Sequence, residues 1–136
     1  MRRIAESGHT LMRNLLAILA LLLPTGSVLS AEPKVTGTFS SLRFGTEDVT
    51  GIEISLVFGG DDHYVVVQCA EGAPGVPEVV VAHLHGTTLS FQLSSDTRSG
   101  CPATEFSGTI NSNGLTGTFN HSDWPGFLTR GRSYWQ

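Results

Sequence analysis

Basic side chains are scarce in this sequence, and beyond residue 30 they are also scattered. The chain contains 8 Lys and Arg residues against 12 Asp and Glu residues, and its formal net charge is −4. From Ala31 onward, five basic residues stand against eleven acidic ones, which gives a net charge of −6. A negative chain without basic clusters is poorly suited to bind nucleic acid or anionic membranes. We therefore predict no nucleic-acid partner.

Catalytic and cofactor signatures are also missing. The sequence contains no Gly-x-Ser-x-Gly or Ser-x-x-Lys motif, which would indicate a serine nucleophile. It contains no Cys-x-x-Cys pair, which is the spacing typical of redox-active thiols. The sequence therefore predicts a non-catalytic protein without a cofactor.

Long apolar runs are missing except for one near the amino terminus. Residues 15–23 are almost wholly apolar, Arg13 precedes them, and small residues follow before position 31. This pattern is typical of a secretory signal peptide, which we place at residues 1–30. The run is shorter than the roughly 20 residues that a membrane-spanning helix needs. Met12 begins a complete signal by itself, so translation from Met12 is an alternative start.

The expected mature protein is therefore a single domain of residues 31–136, located in the periplasm or secreted. No cysteine lies near the expected cleavage site, so the sequence predicts no lipid anchor. The sequence contains no second long apolar run, so it also predicts no membrane span. We expect this domain to be a monomer.

Only two cysteines occur, Cys69 and Cys101. An even count in an exported protein indicates a disulfide bond. A closed loop of about 33 residues would stabilise the domain by roughly 3 to 4 kcal/mol in the chain-entropy model. Two free thiols are the alternative, and they are atypical outside the cytoplasm.

A helical period of 3.6 residues is absent from the expected mature chain, and a period of two is widespread. One pattern of apolar, hydroxyl, glycine, threonine and apolar residues occurs three times, at residues 35–39, 106–110 and 115–119. On a strand, the apolar ends and the central glycine share one face. The period and the turn residues predict eight strands, at about 35–43, 51–58, 63–69, 79–85, 88–93, 106–110, 115–119 and 127–134.

Eight short sequential strands without a helix predict an all-β fold, a small antiparallel up-and-down barrel with one disulfide bond. Closure of the sheet removes the exposed edges. The glycines Gly37, Gly108 and Gly117 would permit the bends that a small barrel needs. A two-sheet sandwich is the alternative because it produces the same strand pattern.

This meander of apolar-Thr-Gly-Thr-Phe strands resembles the calycins, the group of lipocalins and avidin-type barrels, and the hairpin that contains Leu115–Phe119 is similar to avidin-type hairpins. The resemblance implies an aromatic residue on the first strand paired with a basic residue on the last, here Phe39 and Arg130. Phe39 stands where lipocalins carry a tryptophan. The resemblance also implies a binding role, and a lipocalin-like carrier of a small apolar ligand is one alternative function.

The segment from Glu71 to Pro77 is the strongest candidate for a binding surface. It contains Pro74 and Val76, and its two prolines and two glycines predict a rigid loop that is neither strand nor helix. A preorganised loop loses little entropy on binding, so we predict a protein partner and consider inhibition of a hydrolase. Trp124, in the loop before the last strand, is either an exposed contact residue or a cap on one end of the barrel.

His83 and His85 are candidates for metal ligands because residues i and i+2 of a strand share a face. A small metal-dependent hydrolase that uses this pair is therefore a further alternative. No spacing indicates a third ligand, and we favour the interpretation that both imidazoles lie on a solvent-exposed face.

Overall fold

A computed structural model describes residues 35–95 and 98–133 of the chain. These residues form nine β-strands and no helix. The strands are β1 (Gly37–Ser40), β2 (Arg43–Phe44), β3 (Val49–Gly59), β4 (Asp62–Pro74), β5 (Glu78–His85), β6 (Thr88–Gln92), β7 (Glu105–Ile110), β8 (Gly114–Phe119) and β9 (Pro125–Gly131). The predicted signal peptide, residues 1–30, and the alternative start at Met12 lie outside the described residues.

The sheet closes into an eight-stranded antiparallel barrel. Its strands follow the order β1-β9-β8-β7-β6-β5-β4-β3, and β1 pairs with β3 on its other side. The barrel closes at β1, which we call the seam: Phe39 pairs with Ile54 of β3 on one side and with Arg130 of β9 on the other. The predicted all-β barrel is therefore confirmed, and the two-sheet sandwich is not the fold.

The first predicted strand, residues 35–43, was too long, because the chain leaves the barrel wall after Ser40. Leu42 turns inward to pack with Val49 and Ala70 in a small cluster outside the main core. Arg43 and Phe44 then form a ninth strand, β2, which pairs only with β3. Gly51 allows this crossing, since its φ is +114° and a Cβ there would lie 2.5 Å from the carbonyl oxygen of Ser41.

The prediction that residues 71–77 contain no strand was wrong for the first four of them. β4 continues to Pro74, and Glu71 and Gly72 still pair with Thr50 and Val49 of β3. On its other side β4 pairs with β5 only as far as Val67. The end of β4 is therefore an edge, where a proline costs no ladder hydrogen bond. The connection to β5 is reduced to residues 75–77.

Side chains occupy the interior of the barrel. Three phenylalanines from neighbouring strands contact one another there: Phe91 stacks on Phe106 with ring centroids 4.8 Å apart, and Phe106 meets Phe119 edge to face at 5.3 Å. An eight-stranded barrel is just wide enough for side chains to fill. The largest fully buried aliphatic side chains are those of Ile52, Ile54, Leu56, Val65, Val67, Leu89, Leu115 and Leu128.

The disulfide bond between Cys69 and Cys101 is present, as the sequence predicts. It joins the end part of β4 to the connection between β6 and β7, across 32 positions of sequence. Disulfides are typical of proteins in an oxidising environment outside the cytoplasm. Within the described residues no helix is long and apolar enough to cross a membrane.

Arg130 lies over the ring of Phe39, with 4.9 Å from the guanidinium carbon to the ring centroid. Its Nη1 also donates a hydrogen bond of 3.0 Å to the carbonyl oxygen of Thr36. This is the pair of first-strand aromatic and last-strand base that the resemblance to calycins implies, and it holds the seam between β1 and β9.

Replacing this guanidinium is expected to weaken the seam. Arg130→Met keeps a long apolar stem but removes the cation–π contact and the hydrogen bond, so the free energy of unfolding should fall by about 1 to 2 kcal/mol. Urea denaturation followed by circular dichroism measures this change. Arg132→Met is the matched control because Arg132 is exposed, and its effect should stay within about 0.5 kcal/mol. Equal midpoints for the two variants would show that the contact does not stabilise the seam.

Candidate functional site

Four of the connections between strands lie at the same end of the barrel because the strands alternate in direction. They are residues 41–48, 75–77, 93–104 and 120–124. We call this end, made of residues 41–50, 69–78, 93–95, 98–105 and 120–125, the disulfide end. The opposite end carries the tight turns at residues 60–61, 86–87 and 111–113. The first of these turns lies within a Gly-Gly-Asp-Asp segment, and Gly60 has a φ of 66° there.

The structure brings the sequence-predicted binding residues together at the disulfide end. Glu71 and Pro74 lie on the last part of β4, while Val76 and Pro77 follow in the connection to β5. Trp124 lies in the connection between β8 and β9. All of these side chains except Trp124 are exposed, and Val76 exposes 58 % of its surface.

Hydrogen bonds hold the connection of residues 75–77 in place. The Gly75 amide donates to the Cys69 carbonyl (2.8 Å), and the Val76 amide donates to the Arg98 carbonyl (2.8 Å). The Gln68 side-chain amide donates to the Gly75 carbonyl at 2.7 Å. A Cβ on Gly75 would lie 2.2 Å from the carbonyl oxygen of Ser99, so the connection packs directly on the disulfide-linked loop. The predicted rigidity of this segment therefore has a structural basis, although the segment is shorter than predicted.

A cleft of about 350 Å³ opens at the disulfide end. Its walls come from three parts of the chain that the fold brings together: β3 and β4, the loop around Cys101, and the connection before β9. The lining residues are Thr50, Gly51, Cys69, Ala70, Glu71, Gly100, Pro102, Ser122 and Trp124. Two of the predicted binding residues, Glu71 and Trp124, therefore share one cavity.

Trp124 is partly buried and caps the core at this end. Its indole stacks on the ring of Phe119, with centroids 5.9 Å apart and an interplanar angle of 15°. The Trp124 carbonyl accepts a hydrogen bond from the Phe119 amide at 2.9 Å, and the Trp124 amide donates to the Ser122 hydroxyl at 3.0 Å. Of the two predicted roles, the cap is the one that these contacts support. The indole nevertheless also lines the cleft.

Sequence reasoning missed most of the other lining residues. Gly100 and Pro102 flank Cys101, and the predicted disulfide bond to Cys69 already placed them near Glu71. Thr50 faces Glu71 only through the register of β3 and β4, for which the sequence contains no signal.

His83 and His85 are exposed on β5, while Ala82 and Leu84 of the same strand are buried and half-buried, so both imidazoles lie on the outer face. Within residues 35–95 and 98–133, no group of three or more His, Cys, Asp or Glu side chains is close enough to hold a metal ion. The favoured interpretation, a solvent-exposed pair, agrees with this position.

Charge is distributed unequally between the two ends of the barrel. Among the described residues, the disulfide end carries two arginines against six acidic residues, Glu47, Asp48, Glu71, Glu78, Glu105 and Asp123. The opposite end carries Asp61 and Asp62 against Arg130 and Arg132, and is balanced. The disulfide end is thus the more acidic end of the described barrel.

The closed antiparallel barrel is compatible with a calycin-like architecture. Comparison of the chain with protein-family models, with curated proteins and with solved structures yields no match.

Proposed function

We propose that this protein is a non-catalytic binding module that is exported, to the periplasm or the medium, and binds a protein partner through its disulfide end. The observation that carries this proposal is the exposed segment of residues 75–77 beside the cleft, held by hydrogen bonds to Cys69 and Arg98. A segment that is already ordered loses little conformational entropy when a partner binds. Large exposed apolar side chains on such a segment are suited to enter a pocket of the partner.

Val76 is the side chain that we expect to make this central contact. It is 58 % exposed, and it lies between Gly75 and Pro77, which are both constrained. Inhibition of a hydrolase is one form that such binding would take, because a fixed apolar side chain can block a substrate pocket sterically.

The packing of the interior favours this proposal over a carrier of small apolar ligands. Phe91, Phe106 and Phe119 lie side by side on three neighbouring strands, contact one another, and are almost fully buried in the core, where Trp124 stacks on Phe119. A carrier would need an apolar cavity of several hundred Å³ that encloses most of its ligand. A metal-dependent hydrolase is also disfavoured, because His83 and His85 lie on the outer wall without a third ligand among the described residues.

A capture experiment with matched variants tests the proposal. Purified wild type, Val76→Asp and Val57→Asp are immobilised and exposed to envelope and secreted fractions of the source cells. Val57 is the control because it is similarly exposed, at 44 %, but lies on the outer wall of β3 away from the disulfide end. We expect wild type and Val57→Asp to retain a stoichiometric partner, and Val76→Asp to bind it at least about tenfold more weakly.

Two outcomes would contradict the proposal. A partner retained equally by all three proteins would place the interface elsewhere. A stoichiometric small molecule in native mass spectrometry, together with no captured protein, would favour the carrier.

A further inference from the structure

The lining of the cleft at the disulfide end is unsuited to an anion and suited to a donor-rich, positively charged group. Among the described residues, the lining contains one carboxylate, from Glu71, two hydroxyls, from Thr50 and Ser122, and no Lys, Arg or His. A cation brings only hydrogen-bond donors, and it therefore needs acceptors of this kind.

The carboxylate is available for a ligand. Glu71 is exposed on β4, where it pairs in the sheet with Thr50 through the backbone alone. Among the described residues, none forms a hydrogen bond or a salt bridge with its carboxylate. Hydrogen bonds in which both partners are charged are about twice as strong as neutral ones.

The remaining walls are apolar and aromatic. Ala70 and Pro102 contribute apolar surface, and Trp124 adds an indole whose position is set by its stacking on Phe119. Arginine and lysine combine a charged head with an apolar stem, so their stems pack on such a surface while the head stays near the opening. The face of an indole also attracts cations, and guanidinium groups stack on it especially well.

The charge of the whole end acts in the same direction. Within residues 35–95 and 98–133, six acidic residues against two arginines make the disulfide end negative, while the opposite end is balanced. Such a field raises the rate at which a basic surface meets this end in the correct orientation.

We propose that the cleft between Glu71 and Trp124 receives an arginine or lysine side chain of the protein partner. This assignment rests on the proposed function, and it adds that the partner is basic at the contact. The segment of residues 75–77 and the cleft both adjoin Cys69, so one partner surface can contact both. In the complex, the cationic head lies against the Glu71 carboxylate and its stem lies along the apolar wall.

Short peptides test the charge preference without the partner. The probes are three acetylated and amidated tripeptides, Gly-Arg-Gly, Gly-Lys-Gly and the neutral Gly-Gln-Gly, titrated into the purified, oxidised protein. The signal is the indole N–H resonance of Trp124, observed in a Trp135→Phe background so that a single indole remains. We expect saturable shifts with the arginine or the lysine peptide, weakening as salt is added, and none with the glutamine peptide.

A matched pair of variants links the signal to the cleft. Glu71→Gln should weaken binding of the cationic peptide about tenfold or more, while Glu105→Gln should leave it unchanged. Glu105 is a suitable control because it is exposed at the same end but does not line the cleft. Equal affinity for cationic and neutral peptides, or wild-type affinity in Glu71→Gln, would overturn the assignment.

The capture experiment separates failure of this assignment from failure of the proposed function. Loss of the partner in Val76→Asp with full retention in Glu71→Gln would support the disulfide end as the interface and reject the cationic contact. Retention in both variants would reject the interface itself, and the peptide titration would then decide independently whether the cleft binds cations.

Discussion

Replacing both cysteines, Cys69→Ala and Cys101→Ala, is expected to lower the free energy of unfolding by about 3 to 4 kcal/mol. The bond links residues 32 positions apart in the sequence. In the chain-entropy model, its removal increases the conformational entropy of the unfolded chain, which stabilises the unfolded state by this amount. The loss is large for a domain of this size, since total stabilities are about 5 to 15 kcal/mol. Urea denaturation at constant temperature measures the change.

Reduction of the wild-type protein supplies the control for this prediction. A reducing agent should shift the wild-type midpoint to that of the double variant and should leave the double variant unchanged. An unaltered midpoint in the double variant would mean that the loop around Cys101 is held by its backbone contacts alone. Those contacts include the hydrogen bonds from the Cys69 amide to the Ser99 carbonyl (3.1 Å) and from the Val76 amide to the Arg98 carbonyl (2.8 Å).

The bond also carries a consequence for binding. Gly100 and Pro102 form one wall of the cleft, and Arg98 accepts the hydrogen bond from Val76. All three belong to the loop that the disulfide bond fixes. We therefore expect the reduced protein to lose affinity for its partner even under conditions where the barrel stays folded.

Gly117→Val is expected to destabilise the barrel by about 3 kcal/mol, enough to lower the yield of folded protein markedly. A Cβ at Gly117 would lie 2.5 Å from Cζ of Phe106, 2.7 Å from the Ser107 carbonyl oxygen and 2.8 Å from Cα of Gly108. Two of these atoms belong to the backbone of β7, so the side chain has no space unless two paired strands separate. Thermal and urea unfolding measure the effect.

Gly131→Val is the matched control. Gly131 is an exposed strand residue at the end of β9, and no atom lies within 4 Å of a Cβ placed on it. Valine is favourable on an exposed strand, so this variant should unfold close to the wild-type midpoint. Similar losses in both variants would mean that glycine is required at these positions for a reason other than crowding.

Two of the three central glycines of the repeated pattern, Gly108 and Gly117, also show what the sequence left undetermined. The pattern predicts that Gly108 and Gly117 share the inner face with their apolar neighbours, and both are buried. Gly108 of β7 pairs directly with Gly117 of β8. This pairing depends on the register of the two strands, which a repeated pattern does not determine. Neither glycine has a positive φ, so close approach of two strands explains them better than a local bend does.

Boundaries were predicted less well than the architecture, for reasons that lie in tertiary structure. The alternation of apolar and polar residues was enough to predict a closed meander of sequential strands. Pro74 indicated a loop because a proline interrupts a central strand, but at the end of β4 only one neighbouring strand is present. β2 consists of two residues whose only partners lie on β3, and such short pairing has no periodic signal.

The cleft was predictable residue by residue but not as a cavity. Glu71 and Trp124 each drew attention for a local reason, a rigid segment in one case and a loop tryptophan in the other. Their convergence depends on strand direction, which places the connections after β4 and β8 at the same end. The outward position of His83 and His85 was simpler to predict, because the two residues alternate along β5 with the buried Ala82 and the half-buried Leu84.

The shortness of β1 has a consequence for the order in which the barrel assembles and opens. β1 has four residues and closes the barrel through three pairings with β9 and four with β3, whereas β3 and β4 form eleven pairings. The contact of Phe39 with Arg130 also joins distant parts of the chain, which makes its formation slow compared with that of the hairpins. The meander from β3 to β9 can therefore form first from neighbouring strands, with β1 docking last. In the folded protein the same joint is the place where fluctuations briefly expose the edges of β3 and β9 to solvent exchange.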